Sequence, residues 1–184
     1  MTITGTGFTG ATGVTFGTGN NASVVTVVNP TQITATVPAH AAGTVDVRVI
    51  TPGGTSANTA ADDYVYAAAP TVTSISPTAG PLAGGTSVTI TGTNLANATS
   101  VKFGTTSTPI TTNSATSITV TSPLANSAGA VDVTVVTAGG TSATSAADRF
   151  TYTAAPVITS ITPNQASSTG GALLVTINGS GFTA

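Results

Sequence analysis

Apolar and polar residues alternate along short stretches of the chain, which is the pattern of half-buried β-strands. Glycine pairs, Asn113-Ser114 and Pro123 separate these stretches and are typical of turns. No window shows a helical period of 3.6 residues. The pattern therefore predicts an all-β protein, with six or seven short strands in each stretch of about 87 residues and an immunoglobulin-like β-sandwich as the fold.

The same stretches recur at a step of 86 or 87 residues, which indicates a tandem repeat. The segment TITGTGF at Thr2–Phe8 returns as TITGTNL at Thr89–Leu95 and as TINGSGF at Thr176–Phe182. Three parts are predicted from this repeat. Residues 1–70 form a unit that lacks its first strands, residues 71–156 form a complete unit, and residues 157–184 form the first strands of a third unit.

Side-chain parity predicts the core of the complete unit, because residues two apart on a strand share one face. The residues with inward parity are Val88, Ile90, Phe103, Ile118, Val133 and Phe150. Lys102 and Asp132 have the opposite parity, so we expect them to point outward. The same holds for Asp46, which occupies the position of Asp132 in the first unit.

Many of these positions together resemble the IPT/TIG domain, an immunoglobulin-like fold of plexins, Rel-type transcription factors and many bacterial surface proteins. The resemblance covers essentially the whole chain and implies tandem immunoglobulin-like β-sandwiches. It also implies the bacterial, extracellular, tandem-repeat branch, whose members serve as stalks, spacers or adhesive surfaces. The residues that carry it are Pro70, Ile75, Pro77, Gly84, Gly85, Val88, Ile90, Gly92, Val101, Phe103, Gly104, Val131, Val133, Val135, Gly139, Gly140, Ser142, Phe150 and Tyr152.

The amino-acid composition mainly excludes classes of function. The 184 residues include 42 threonines, 21 glycines and no cysteine, with three basic residues against five acidic ones. Three basic residues cannot neutralise a row of phosphates, which excludes a nucleic-acid partner. No apolar run approaches the roughly 18 residues of a spanning helix, so no membrane insertion is expected. Such a chain is typical of threonine-rich bacterial surface proteins, and we expect an extracellular or cell-surface location.

Aspartates are the first candidates for a functional site. Asp62 and Asp63, with Asp148 matching Asp62 in the next unit, suggest a calcium site at a domain junction. Calcium needs six to eight oxygen ligands, and Arg149 replaces the second carboxylate. We therefore predict an acidic turn with Arg149 paired locally, and no metal or other cofactor.

The other candidate residues are one histidine and three tyrosines. His40 stands in a loop and has no counterpart in the second unit. Because it is the one histidine of the sequence, there is hardly any base to activate a hydroxyl nucleophile. No catalytic residue is predicted, and we do not expect an enzyme. Tyr64, Tyr66 and Tyr152 fall on the last strands, where core or edge packing is the first interpretation. Carbohydrate binding by these rings is the alternative.

The leading hypothesis is a structural or adhesive module, and the alternative is a carbohydrate-binding accessory domain of a larger secreted protein. No signal peptide follows Met1, so the start resembles a fragment boundary. The ends are complementary, because residues 157–184 repeat the strands that residues 1–70 lack. They could join chains head to tail by β-strand addition and form filaments. The competing interpretation is a segment of a longer array, paired with neighbouring repeats.

Overall fold

The computed structural model describes residues 1–182, which fold into short strands joined by turns. Two sheets form what we call the first sandwich. Its strands are β1 (Thr2–Thr4), β2 (Gly13–Phe16), β3 (Val25–Asn29), β4 (Gln32–Ala35), β5 (Gly43–Thr51), β6 (Gly54–Thr55) and β7 (Asp63–Tyr66). The strand orders of the two sheets are β1–β4–β3 and β2–β5–β6, with β7 also paired to β5.

The second sandwich also consists of two sheets. Its strands are β8 (Thr71–Ser76), β9 (Ala79–Pro81), β10 (Ser87–Thr93), β11 (Ser100–Phe103), β12 (Thr106–Thr108), β13 (Ile110–Asn113), β14 (Ser117–Thr121), β15 (Gly129–Thr137), β16 (Gly140–Thr141) and β17 (Arg149–Thr153). The strand orders are β13–β14–β10–β8 and β12–β11–β15–β17–β9, with β16 paired to β15. A short 3₁₀ turn, Ala146–Asp148, precedes β17. The predicted all-β, immunoglobulin-like class is confirmed.

The core of the second sandwich lies between its two sheets and contains every residue that parity predicted. Each of these side chains is at most 3% exposed: Val88, Ile90, Phe103, Ile118, Val133 and Phe150. Ile90 pairs with Ile118 across neighbouring strands, which brings their side chains together on the inner face. Full burial of such a side chain contributes about 1.5–3 kcal/mol, so these residues hold the two sheets together.

The sequence pattern missed several short strands. Strands β9, β12 and β16 have only two or three residues, too few to show an alternating pattern. Their positions depend on their neighbours. Strand β9 lies parallel to β17, β12 pairs with β11, and β16 closes a tight turn with β15.

The last described residues form a separate two-stranded sheet, which we call the terminal hairpin. It consists of β18 (Val157–Thr162) and β19 (Thr176–Ser180). Its register repeats that of β8 with β10, because Ile161 faces Ile177 as Ile75 faces Ile90. All of its residues are exposed. Thr183 and Ala184, at the end of the predicted third part, lie outside the described residues.

By its internal contacts the chain divides into two compact units, Met1–Ala68 and Ala69–Ala184. Strand β7 ends at Tyr66 and β8 begins at Thr71, on either side of the repeat boundary at Pro70. The division into 1–70, 71–156 and 157–184 stays a prediction from the repeat. Within residues 1–182, no helix combines the length and the apolar character needed to cross a bilayer.

Candidate functional site

A tyrosine on the last strand of each sandwich ties that strand to a loop. The hydroxyl of Tyr66 donates a hydrogen bond to the carbonyl oxygen of Pro38 at 3.0 Å. The hydroxyl of Tyr152 donates to the carbonyl oxygen of Pro123 at 2.9 Å. Burial raises the pKa of both phenols, so both stay protonated and able to donate near neutral pH. These two tyrosines are therefore part of the framework.

The aromatic pair on the last strand is covered in the second sandwich and half-exposed in the first. Phe150 and Tyr152 are 0% and 3% exposed, whereas Tyr64 and Tyr66 are only half-buried. The ring centroids are 5.0 Å apart in both pairs, so the difference lies in what covers them. In the second sandwich β8 flanks β10 and β9 flanks β17. No described strand flanks β1 or β7 at these places, and we call this side of the first sandwich the open edge.

The candidate calcium residues take part in turns before the last strands. The carboxylate of Asp62 accepts hydrogen bonds from the backbone N–H and the hydroxyl of Thr59, at 2.6 and 2.7 Å. Asp148 accepts one from the backbone N–H of Ser145 at 2.8 Å and closes a capping box. Asp63 is exposed at the start of β7. In residues 1–182, no three acidic, histidine or cysteine side chains gather as a metal site would require.

The two turn aspartates differ in their electrostatic surroundings. The side-chain hydrogen bond from Thr59 holds the pKa of Asp62 below its usual value. Burial raises the pKa of Asp148, because its side chain is 0% exposed and desolvation outweighs its hydrogen bonds to Ser145. The second carboxylate oxygen of each residue has no hydrogen-bond partner in the described structure. Ionisation of the turn aspartate therefore favours folding in the first sandwich and disfavours it in the second.

Asp46 and Asp132 make specific contacts on the outer faces of their sheets. The side-chain amide of Asn58 donates a hydrogen bond to Asp46 at 2.7 Å. Arg149 on β17 is the register partner of Asp132 on β15, and its Nε lies 3.6 Å from Oδ1 of Asp132. Arg149 therefore pairs across strands, and not within the turn of Asp148. Since both partners are largely exposed, this ion pair contributes about 0–1 kcal/mol.

An open groove of about 630 Å³ lies on the outer face of β2 and β5 in the first sandwich. The ring of exposed His40 stacks on Tyr66 beside it, with centroids 5.0 Å apart and an angle of 30°. Sequence reasoning missed this groove because two strands and two loops, which are separate in sequence, supply its walls. It is lined by Thr15, Gly17, Thr18, Gly19, His40, Thr44, Val45, Asp46 and Arg48.

Two consecutive β-sandwiches, with the same tyrosine bond to a loop carbonyl and the same aspartate turn in each, define a tandem immunoglobulin-like protein. The family model of the IPT/TIG domain matches residues 1–66 and again residues 70–152. The chain therefore belongs to the IPT/TIG domain family, which confirms the resemblance seen in its sequence.

Several solved structures are similar to the chain. The extracellular region of plexin A4 matches with a TM-score of 0.52 and 24% identity, over 83% of this chain and 13% of that one. A surface glycan-binding protein from Prevotella bryantii matches at 0.38 and 24%, over 76% and 34%. A gamma-CGTase from Bacillus clarkii matches at 0.39 and 21%, over 83% and 21%.

The chain thus spans between 13% and 34% of the length of these three proteins. The comparison with curated proteins finds no match. The likeness to plexin A4, at a TM-score of 0.52 and 24% identity, concerns the fold alone.

Proposed function

We propose that the chain is a non-enzymatic structural and adhesive repeat module of a bacterial extracellular or cell-surface protein. The observation that carries this proposal is that the residues repeated between the sandwiches are framework residues. Each sandwich has the tyrosine bond to a proline carbonyl and the aspartate turn before its last strand. The groove residues Thr15 and Arg48 are instead replaced by Lys102 and Thr134.

The ionisable side chains support the non-enzymatic part of the proposal. Asp62 and Asp148 hold turns, Asp46 accepts a hydrogen bond from a side-chain amide, and Asp132 pairs with Arg149. General acid–base catalysis needs two titratable groups held near a shared reacting atom. Carboxylates that are already engaged in turns and surface contacts fit a scaffold better than a catalytic pair.

A glycan array probed with the full chain tests this proposal. We expect array signals no higher than those of a heat-denatured sample. Saturable binding to one glycan class would overturn the purely structural assignment.

A carbohydrate-binding accessory domain is the second candidate. The groove beside the His40–Tyr66 stack favours it, because hydroxyl and charged groups next to a ring are suited to a sugar. The variant His40→Ala should abolish any saturable glycan binding. Asn126→Ala is the matched control, since Asn126 is exposed in the corresponding loop of the second sandwich. Equal binding by both variants would exclude this groove as the glycan site.

A further inference from the structure

The open edge of the first sandwich presents an incomplete version of the contact that β8 makes with β10. In the second sandwich Ile75 of β8 pairs with Ile90 of β10, and Ile90 is 0% exposed. Ile3 takes the place of Ile90 in the first sandwich and is only half-buried. Strand β1 pairs with β4 on one side, and no described strand lies on the other. The open edge therefore has an unused row of backbone N–H and C=O groups.

A repeated glycine indicates that a strand fits this edge. A Cβ at Gly92 would overlap the carbonyl oxygen of Thr71, and a Cβ at Gly179 would overlap that of Val157. Glycine is thus required wherever the neighbouring strand approaches so closely. Gly5 holds the same place on the first sandwich, where a Cβ would meet the ring of Phe8 and no described strand approaches. The glycine that a close backbone approach needs is therefore present, and no described strand pairs with it.

Strand β18 of the terminal hairpin has the matching sequence. Its residues VITSIT align with TVTSIS of β8. Ile158 and Ile161 are 56% and 45% exposed, whereas Val72 and Ile75 at the same places of β8 are 9% and 5% exposed. The chain therefore exposes, on one segment, the apolar pair that the second sandwich uses to cover its own edge.

We propose that β18 of one chain pairs with β1 of a second copy, in the register that β8 keeps with β10. Ile161 then faces Ile3, and Ser160 faces Thr4. The carbonyl of Val157 comes to lie next to Gly5. This inference rests on the proposed structural function and specifies its partner: the modules join through a strand that each copy gives to the next.

The exchange requires β18 to leave β19, and the contacts favour that change. An isolated two-stranded sheet is marginally stable in water, and every residue of the terminal hairpin is exposed. Strand β1 is held more firmly. The N–H of Ala35 donates to the carbonyl of Met1 at 2.9 Å, and Ile3 pairs with Ile33. Strand β18 therefore gains a sheet with a core behind it and gives up one weak partner.

The chain enters and leaves the second sandwich at opposite ends, which suits the addition of one copy after another. Strand β9 follows β8 and runs parallel to β17, so Thr71 and Thr153 lie at opposite ends. Residues 71–81 extend over roughly 30 Å at about 3.3 Å per residue. The donor strand thus leaves from the end remote from the one that joins the first sandwich. A contact between different surfaces of two copies is heterologous, and it produces an open filament when the rotation between copies does not close into a ring.

Cysteine trapping in the full chain tests the proposed register, since the chain contains no cysteine. Residues opposite each other on paired strands have Cα atoms close enough for a disulfide. The double variant Thr4→Cys/Ser160→Cys should give a ladder of covalent oligomers on a denaturing gel after oxidation. The variant Ser160→Cys/Asn178→Cys traps β18 in its own hairpin, because Ser160 faces Asn178 there, and should stay monomeric.

A control inside the second sandwich makes the result decisive. Ser74 and Thr91 are register partners, so Ser74→Cys/Thr91→Cys should oxidise fully within one chain. If that control oxidises while the Thr4/Ser160 pair forms no interchain bond, the strand addition is wrong. An oxidised Thr4/Ser160 band at monomer size would also overturn it, since the donor would belong to the same chain. The structural function fails separately, through saturable glycan binding.

Ile161→Asp and Ser160→Asp provide a second readout by sedimentation velocity of the full chain. Ile161→Asp places a charge where Ile75 is buried in the second sandwich, and should lower the sedimentation coefficient to that of a monomer. Ser160→Asp places the same charge where Ser74 is exposed, and should leave assembly intact. Equal sedimentation of the two variants would contradict the proposal that Ile161 lies on the buried side of β18 and Ser160 on its exposed side.

Discussion

The rings of Phe103 and Phe150 meet edge to face in the second sandwich, with centroids 5.1 Å apart and an angle of 86°. Phe103 lies on β11 and Phe150 on β17, and β15 separates the two strands in the sheet. Both side chains are at most 3% exposed. The contact therefore links two strands that are not neighbours, across the inner face of the sheet.

Phe103→Ala should lower the free energy of unfolding by roughly 3–5 kcal/mol, the usual range for a buried phenylalanine. The loss combines apolar burial with a cavity beside Phe150. Chemical denaturation of the full chain measures it, with the exposed residue Thr105→Ala as the control. A change below about 1 kcal/mol would mean that the ring does not contribute to the core.

Two serines make the same hydrogen bond in different surroundings. The hydroxyl of Ser142 accepts from the N–H of Val135, and that of Ser56 accepts from the N–H of Val49, both at 3.1 Å. Ser142 is 4% exposed, whereas Ser56 is exposed. Ser142→Ala should cost about 1–3 kcal/mol, because it leaves a buried donor unpaired. Water can replace the hydroxyl in Ser56→Ala, so equal losses in denaturant titrations would contradict this account.

The turn aspartates should give opposite pH dependences. Folding raises the pKa of Asp148 above 3.8. As the pH falls through this folded pKa, the wild-type chain therefore gains stability relative to Asp148→Asn. The pKa of Asp62 is lowered, so its contribution is present above 3.8 and is lost as the pH falls through the lower folded value. Thermal melts of the wild type and both asparagine variants between pH 7 and pH 2.5 measure these differences. Parallel curves for the two variants would refute the assignment.

Removing residues 157–184 should abolish assembly and leave a monomer whose first sandwich unfolds before the second. The reason is that the donor strand is lost while the open edge keeps Tyr64 and Tyr66 half-exposed. Light scattering and thermal melts of the truncated and full chains measure both effects. Filaments formed by the truncated chain would show that another surface joins the copies. A full chain that stays monomeric at every concentration would show that the copies do not assemble through this strand.

The repeat and the alternating pattern determined the fold class and the core of the second sandwich. Period-two alternation is a local property of a strand, so Val88, Ile90 and Phe103 could be assigned to the inner face without knowledge of their partners. The family could also be read from the sequence, because its motif residues are turn glycines and core positions of the repeat itself.

Only the tertiary structure decided which edges are covered and what each charged residue contacts. Tyr64 and Phe150 occupy equivalent places in the repeat, yet one is half-exposed and the other buried, because β8 and β9 flank only the second sandwich. Arg149 pairs with Asp132 across two strands, and the groove beside His40 takes its walls from β2, β5 and two loops. These properties depend on contacts between residues far apart in sequence, which no local pattern of apolar and polar residues encodes.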